Sequence, residues 1–152
     1  MEAEKLVLIK SDLTAQMAEI EVIYSRLEDR KKSKGSTALE SIGYQLHNLY
    51  CAFEDLFLIV AGYFENNIQD KTRFHSELLK RMNIAIEGIR PNLLTPESFI
   101  LLDNLRSFRH FFRHGYSHEL DARKIKIVLM DAEKLKGGYR HEVELFLRKL
   151  AE

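Results

Sequence analysis

The sequence predicts an all-α bundle, and three observations carry that reading. Prolines are confined to Pro91 and Pro96, and 7 glycines are spread over 152 residues, too few breakers for a many-stranded β fold. Apolar residues recur every three or four positions through most of the chain, which is the period of one helix face. Capping residues stand where several of those stripes begin. The length is that of one ordinary domain, and 45% hydrophobic with 30% charged residues fills one sizeable core. We read residues 1–152 as a single domain of about five helices.

The first helix carries Leu6, Ile9, Leu13, Met17, Ile20, Tyr24 and Leu27 as one apolar stripe. Lys31 to Ser36 is a polar loop, after which Thr37 and Glu40 have the spacing of a capping box. The second helix repeats Leu39, Ile42, Leu46, Leu49, Phe53, Leu56, Val60 and Phe64, and holds Tyr50, Phe57 and Ile59 off that stripe. Apolar residues on more than one face mark a central helix, or one that also meets a partner. Asn66-Asn67 is expected to end it. A third helix is expected from Asp70 to about Glu87, ahead of Gly88 and Pro91.

Thr95-Pro96-Glu97 is a helix start: a cap, a proline in the first turn, and an acid near the positive end. Leu101, Leu105, Phe108 and Phe112 form the core stripe of this fourth helix. Arg106, Arg109 and Arg113 form a second stripe, about 100° around the axis. Gly115 is expected to terminate the helix in the left-handed conformation. Asp121 can cap the last helix. Its stripe of Ile125, Val128, Ala132, Leu135, Tyr139, Val143, Phe146 and Leu150 keeps phase across Gly137-Gly138, so one helix with a weak point is expected there.

Composition narrows the function. Cys51 is the single cysteine, which leaves no internal disulfide and fits a reducing cytoplasm. Its bland role is a small buried hydrophobe. The charged start Met1-Glu2-Ala3-Glu4-Lys5 lacks a signal-peptide core. The densest apolar run, Leu56 to Gly62, is far too short to cross a bilayer. A cytoplasmic protein with no membrane segment is therefore expected. Lys plus Arg equals Asp plus Glu at 23 each, against non-specific coating of nucleic acid. The positive charge is nonetheless local. Asn104 to Lys126 holds six bases against two acids, together with His110, His114 and His118.

Within that basic segment Arg109, four intervening residues, His114, one residue and Tyr116 spell R-x4-H-x-Y. This resembles the R-x4-6-H-x-Y signature of HepT toxins in the HEPN superfamily. Their residue after the arginine is often polar, as His110 is. The resemblance implies an HEPN-type helical bundle over nearly the whole chain, with the motif late in sequence at the end of a long helix. It also implies a homodimer in which two copies of the motif line one cleft.

The chemistry of the residues fits. Metal-free RNA cleavage uses the neighbouring 2′-hydroxyl as nucleophile. It needs a proton acceptor, a proton donor, and a cation for the charge on the pentacoordinate phosphate. Histidine supplies the proton transfer and arginine a permanently charged planar fork. Arg109 and His114 are read as catalytic, with Arg106, His110 and Arg113 supporting RNA phosphate. Five residues place Arg109 and His114 about 140° apart on an α-helix, so they converge only where the helix ends.

The plainer alternatives are specific. Arginines on a helix face are commonly solvated charge. His110, His114 and His118 have metal-pair spacing, but Arg113 would repel a cation, so no metal and no cofactor are expected. Phe108 and Phe112 read as core. Phe111 lies off the core stripe and is open as a stacking surface. Tyr116 alone would read as a packing tyrosine. Glu54 and Asp55, on the apolar second helix, are left open as contributors.

The resemblance implies an endoribonuclease toxin acting on messenger or transfer RNA; the compact basic ridge leans towards structured RNA such as tRNA. It also implies neutralisation by an MNT nucleotidyltransferase antitoxin that transfers AMP to Tyr116. The alternative is a non-catalytic HEPN module that binds nucleotide or protein and assists such a nucleotidyltransferase.

Overall fold

A computed structural model describes residues 1–64, 71–115 and 119–152. Among these, six α-helices and one 3-10 turn make an all-α bundle: α1 (Ala3–Arg30), α2 (Ser36–Phe64), the turn Lys71–Arg73, α3 (Phe74–Met82), α4 (Pro96–His114), α5 (Ala122–Lys136) and α6 (Tyr139–Ala151).

The apolar stripes predict the interfaces. α1 buries Ile9, Leu13, Met17, Ile20, Tyr24 and Leu27, adding Ile23. α2 runs back along α1, pinned by Tyr63 Oη to Asp12 at 2.7 Å and by Gln16 Nε2 to the Ala52 carbonyl at 2.8 Å. As its two apolar faces require, α2 lies against α1, α3, α4 and α5. Tyr50, Phe53 and Phe57 fill the centre of one core that draws on every α-helix.

Four expectations are corrected. The capping box at Thr37 and Glu40 is displaced, because α2 begins at Ser36 and Thr37 lies inside its first turn. Gly35 precedes it with φ 98, a conformation that costs a glycine nothing.

The third helix ends at Met82, short of Glu87. Arg90 is the reason. Its buried guanidinium donates to the carbonyls of Arg81, Ile84 and Pro91 at 2.8–3.0 Å. Those bonds satisfy carbonyls at and beyond the helix end, and the chain turns back there instead of continuing. The Leu93 and Leu94 amides return to the Met82 carbonyl.

On α4 the buried set is Ser98, Leu102, Leu105 and Phe108, while Leu101 and Phe112 are half-buried. The core-facing direction is rotated towards Leu102. The stripe after Asp121 keeps its phase, but the helix is two helices, α5 and α6, broken at Gly137-Gly138. Tyr139 turns inward at the break, edge-on to Phe53 at 5.1 Å.

The expected end at Asn66-Asn67, the expected start at Asp70, and the positions of Tyr116 and His118 lie outside the described residues. No helix among the described residues is long and apolar enough to cross a membrane.

Two devices set the position of α4. At its start, Thr95 Oγ1 accepts from the Ser98 amide as expected. The buried Glu142 of α6 adds a second cap, accepting from the Thr95 amide at 2.8 Å and Ser98 Oγ at 2.7 Å. At its far end, Gly43 of α2 lets Phe112 and Leu120 close in. A Cβ at Gly43 would lie 3.2 Å from atoms of each. Glu142→Ala removes a charged acceptor from a helix N-terminus and strands two donors. It should cost about 2–3 kcal/mol, read as a lower denaturation midpoint at unchanged helical circular dichroism. A loss under about 0.5 kcal/mol would contradict this anchoring role.

Candidate active site

α4 carries the basic motif residues along its last three turns, and the bundle sorts them onto two sides. On one side Arg109 is half-buried against α2. Its Nε donates to Cys51 Sγ at 3.4 Å. Its terminal nitrogens make no hydrogen bond or ion pair with any described residue, so the fork is open to a ligand. Arg113 is exposed beside it. Arg106 differs: its Nε and Nη2 hold Asp103 Oδ1 at 2.9 and 2.8 Å. The carboxylate one turn earlier offsets this arginine, and the open part of the ridge shortens to Arg109 and Arg113.

On another side His110 and His114 pair, with ring centroids 4.6 Å apart. Both are exposed, and His114 is the last residue of α4. No hydrogen bond joins Arg109 to His114, in keeping with the offset of about 140° on a helix that runs intact to His114.

Gly115 does not take the left-handed conformation expected of it; its φ is −94. The reason for glycine is proximity. Its amide donates to the Phe111 carbonyl at 2.7 Å, and a Cβ would sit 2.7 Å from that same oxygen.

Sequence reasoning missed His47. It lies one helical turn before Cys51 on α2, half-buried, with Nε2 3.9 Å from Cys51 Sγ and its ring 5.6 Å from Phe112. His47 and Arg109 therefore meet on the same thiol. Asn48 Oδ1 lies 3.3 Å from Nδ1 and favours the tautomer with the proton there, which leaves Nε2 as a lone-pair acceptor. Burial holds the imidazole below its ordinary pKa. The Arg109 and Arg113 guanidiniums push the same way, against the Asn48 hydrogen bond. The missed signal was the i, i+4 pair His47 and Cys51 on a helix whose apolar pattern marks it as central.

Cys51 is half-buried and engaged rather than an inert core hydrophobe. Glu54 is buried, and both its oxygens lie 2.8 Å from His75 Nδ1 of α3. Asp55 is exposed. The Tyr50 hydroxyl is fully enclosed without a hydrogen-bond partner among the described residues. Burial, then the neighbouring Glu54, raises its pKa. Among the described residues no three histidine, cysteine or carboxylate side chains cluster as metal ligands.

A family model described as HepT-like protein matches residues 41–150. The chain belongs to the HepT-like family. No curated protein and no solved structure matches it. The HepT-like segment opens at Ser41 on α2 and so contains His47, Cys51 and all of α4. The HEPN-type all-α bundle expected from the motif is the architecture found.

The depressed pKa of His47 has a direct consequence. A histidine with a lower pKa in the fold stays neutral where the unfolded chain already binds protons. His47 thus weakens the fold as pH falls below about 6.5, and not above it. An NMR titration should place its midpoint under 6.5, and Arg113→Gln should raise it. A midpoint at or above 6.5 in the unmodified protein would contradict the electrostatic arrangement.

Proposed function

We propose that this HepT-like protein is a metal-independent endoribonuclease toxin, active as a homodimer and held in check by an MNT nucleotidyltransferase antitoxin. The observation that carries the reading is the open guanidinium fork of Arg109, fixed beside a neutral histidine in a chain of this family.

In this mechanism the terminal nitrogens of Arg109 hold the non-bridging oxygens of the scissile phosphate, with Arg113 adding charge. His47 Nε2 accepts the 2′-hydroxyl proton. The 2′-oxygen attacks phosphorus, and the bond to the 5′-oxygen breaks. A protonated His114 gives its proton to that leaving oxygen. The products are a 2′,3′-cyclic phosphate and a 5′-hydroxyl.

Because Arg109 and His114 face different sides of one α4, the donor is His114 of the second copy. The compact basic ridge favours structured RNA such as tRNA. That same separation favours one other reading, a non-catalytic module that assists a nucleotidyltransferase.

Cleavage of total RNA decides between the two. Arg109→Ala and His114→Ala should each lower the rate by about 100-fold or more while preserving the fold. Mixing the two variants should restore part of the activity through hybrid dimers. The wild-type rate should survive a chelator. No cleavage by the wild-type protein supports the module; near-normal cleavage by both variants removes the motif from the mechanism.

Regulation follows from Tyr116, two residues after His114. AMP joined to its hydroxyl would add a negative phosphate three residues from Arg113 in sequence, where it would compete with the RNA backbone for the basic residues. Toxin co-expressed with its antitoxin should gain one or more AMP masses at Tyr116, absent in Tyr116→Phe. An unmodified Tyr116 in fully inhibited toxin would leave simple masking as the mode of control.

A further inference from the structure

A cavity of about 410 Å³ opens between α4 and α5, and the mechanism above does not use it. Its walls are mainly apolar, from Phe108, Phe111, Ile125 and Val128. Two features set it apart from a packing defect. Asp131 lines it and is 9% exposed, yet no cation among the described residues pairs with it. Its single hydrogen bond is from Asn104 Nδ2 to Oδ2 at 3.1 Å, so Oδ1 has no partner among the described residues. A carboxylate accepts several hydrogen bonds, and the spare capacity of this one is open to donors that enter the cavity. The second feature is Phe111 at the rim, 36% exposed, with the Lys124 ammonium 5.6 Å from its ring centroid.

We propose that this cavity is a guanine-binding subsite for the RNA. The recognition chemistry is specific. A flat ring stacks on Phe111. The floor then calls for adjacent N–H donors facing Asp131, and guanine presents N1–H and the 2-amino group side by side. Adenine would turn the lone pair of its N1 towards the carboxylate. A simple organic cation fits less well, because the Lys124 ammonium beside Phe111 would repel it, whereas this flexible side chain can swing off the ring when a neutral base stacks there. With Arg123, Lys124 instead suits the phosphate of the same nucleotide.

Place connects the cavity to the motif. Ser107, Phe111 and His114 are four and three residues apart, so they share one face of α4. A base seated on Phe111 lies about one helical turn from His114, next to the leaving oxygen it protonates. The role as an RNA subsite rests on the endoribonuclease reading; the guanine site itself does not.

Equilibrium binding of the four nucleoside 5′-monophosphates to the purified protein tests this apart from cleavage. GMP should bind about tenfold or more tighter than AMP, the discrimination of a paired hydrogen bond. Asp131→Asn should abolish that preference. Phe111→Ala, at an exposed rim position that leaves the core intact, should weaken GMP several-fold. Equal affinity for GMP and AMP, or a preference that survives both substitutions, overturns the subsite. A protein that cleaves RNA but binds GMP and AMP alike leaves the nuclease standing and removes the subsite. One that binds GMP as expected and never cleaves does the opposite.

Discussion

A 29-residue helix that buries Ile42, Leu46, Leu49, Phe53, Leu56 and Val60, and Tyr50 and Phe57 as well, must be covered by more than one neighbour. α1, α3, α4 and α5 all lie against α2 for that reason. The hydrophobic drive is generic; the direction from which each neighbour arrives is not. Gly43 admits Phe112 and Leu120 at a distance that a larger residue would resist. That contact brings the C-terminal turns of α4, and with them the basic residues, against the side of α2 that carries His47 and Cys51. The candidate site is a consequence of how the central helix is covered.

The same packing divides the charges of α4. Arg106 is offset by Asp103 within its own helix, Arg109 is held by a thiol that takes little of its hydrogen-bonding capacity, and Arg113 stands in solvent. A guanidinium fixed through Nε keeps both terminal nitrogens available, which preorganises it for an anion at small entropic cost. His47 gains from the same closeness. Cations beside it and partial burial favour its neutral form, the form that can take a proton.

Much of the fold was legible because apolar period and caps are local signals. The stripes of α1 and α2, the Thr95 cap and the Asp121 cap all lie where the sequence places them. What escaped depends on partners distant in sequence. Nothing in the residues 70–87 reveals that the later Arg90 will satisfy their carbonyls and stop the helix. Glu142 caps a helix 47 residues earlier. Gly137-Gly138 keeps helical phase on paper, but two adjacent glycines are poor helix formers and the helix breaks at them. For the site, Arg109 and His114 were visible as a motif. His47 was not, since its meaning comes only from the approach of α4.

α4 is also a mechanical element. One anchor is at Thr95, where α6 grips it through Glu142, and the candidate site is at the other end, 19 residues away. At 1.5 Å per residue that is a lever of about 28 Å, on which a tilt of about 2° displaces the tip by about 1 Å. Phosphoryl transfer is sensitive to displacements of that size. Residues on α6, about 28 Å from the candidate site, thus share with the Gly43 contact the control of where Arg109 and His114 point.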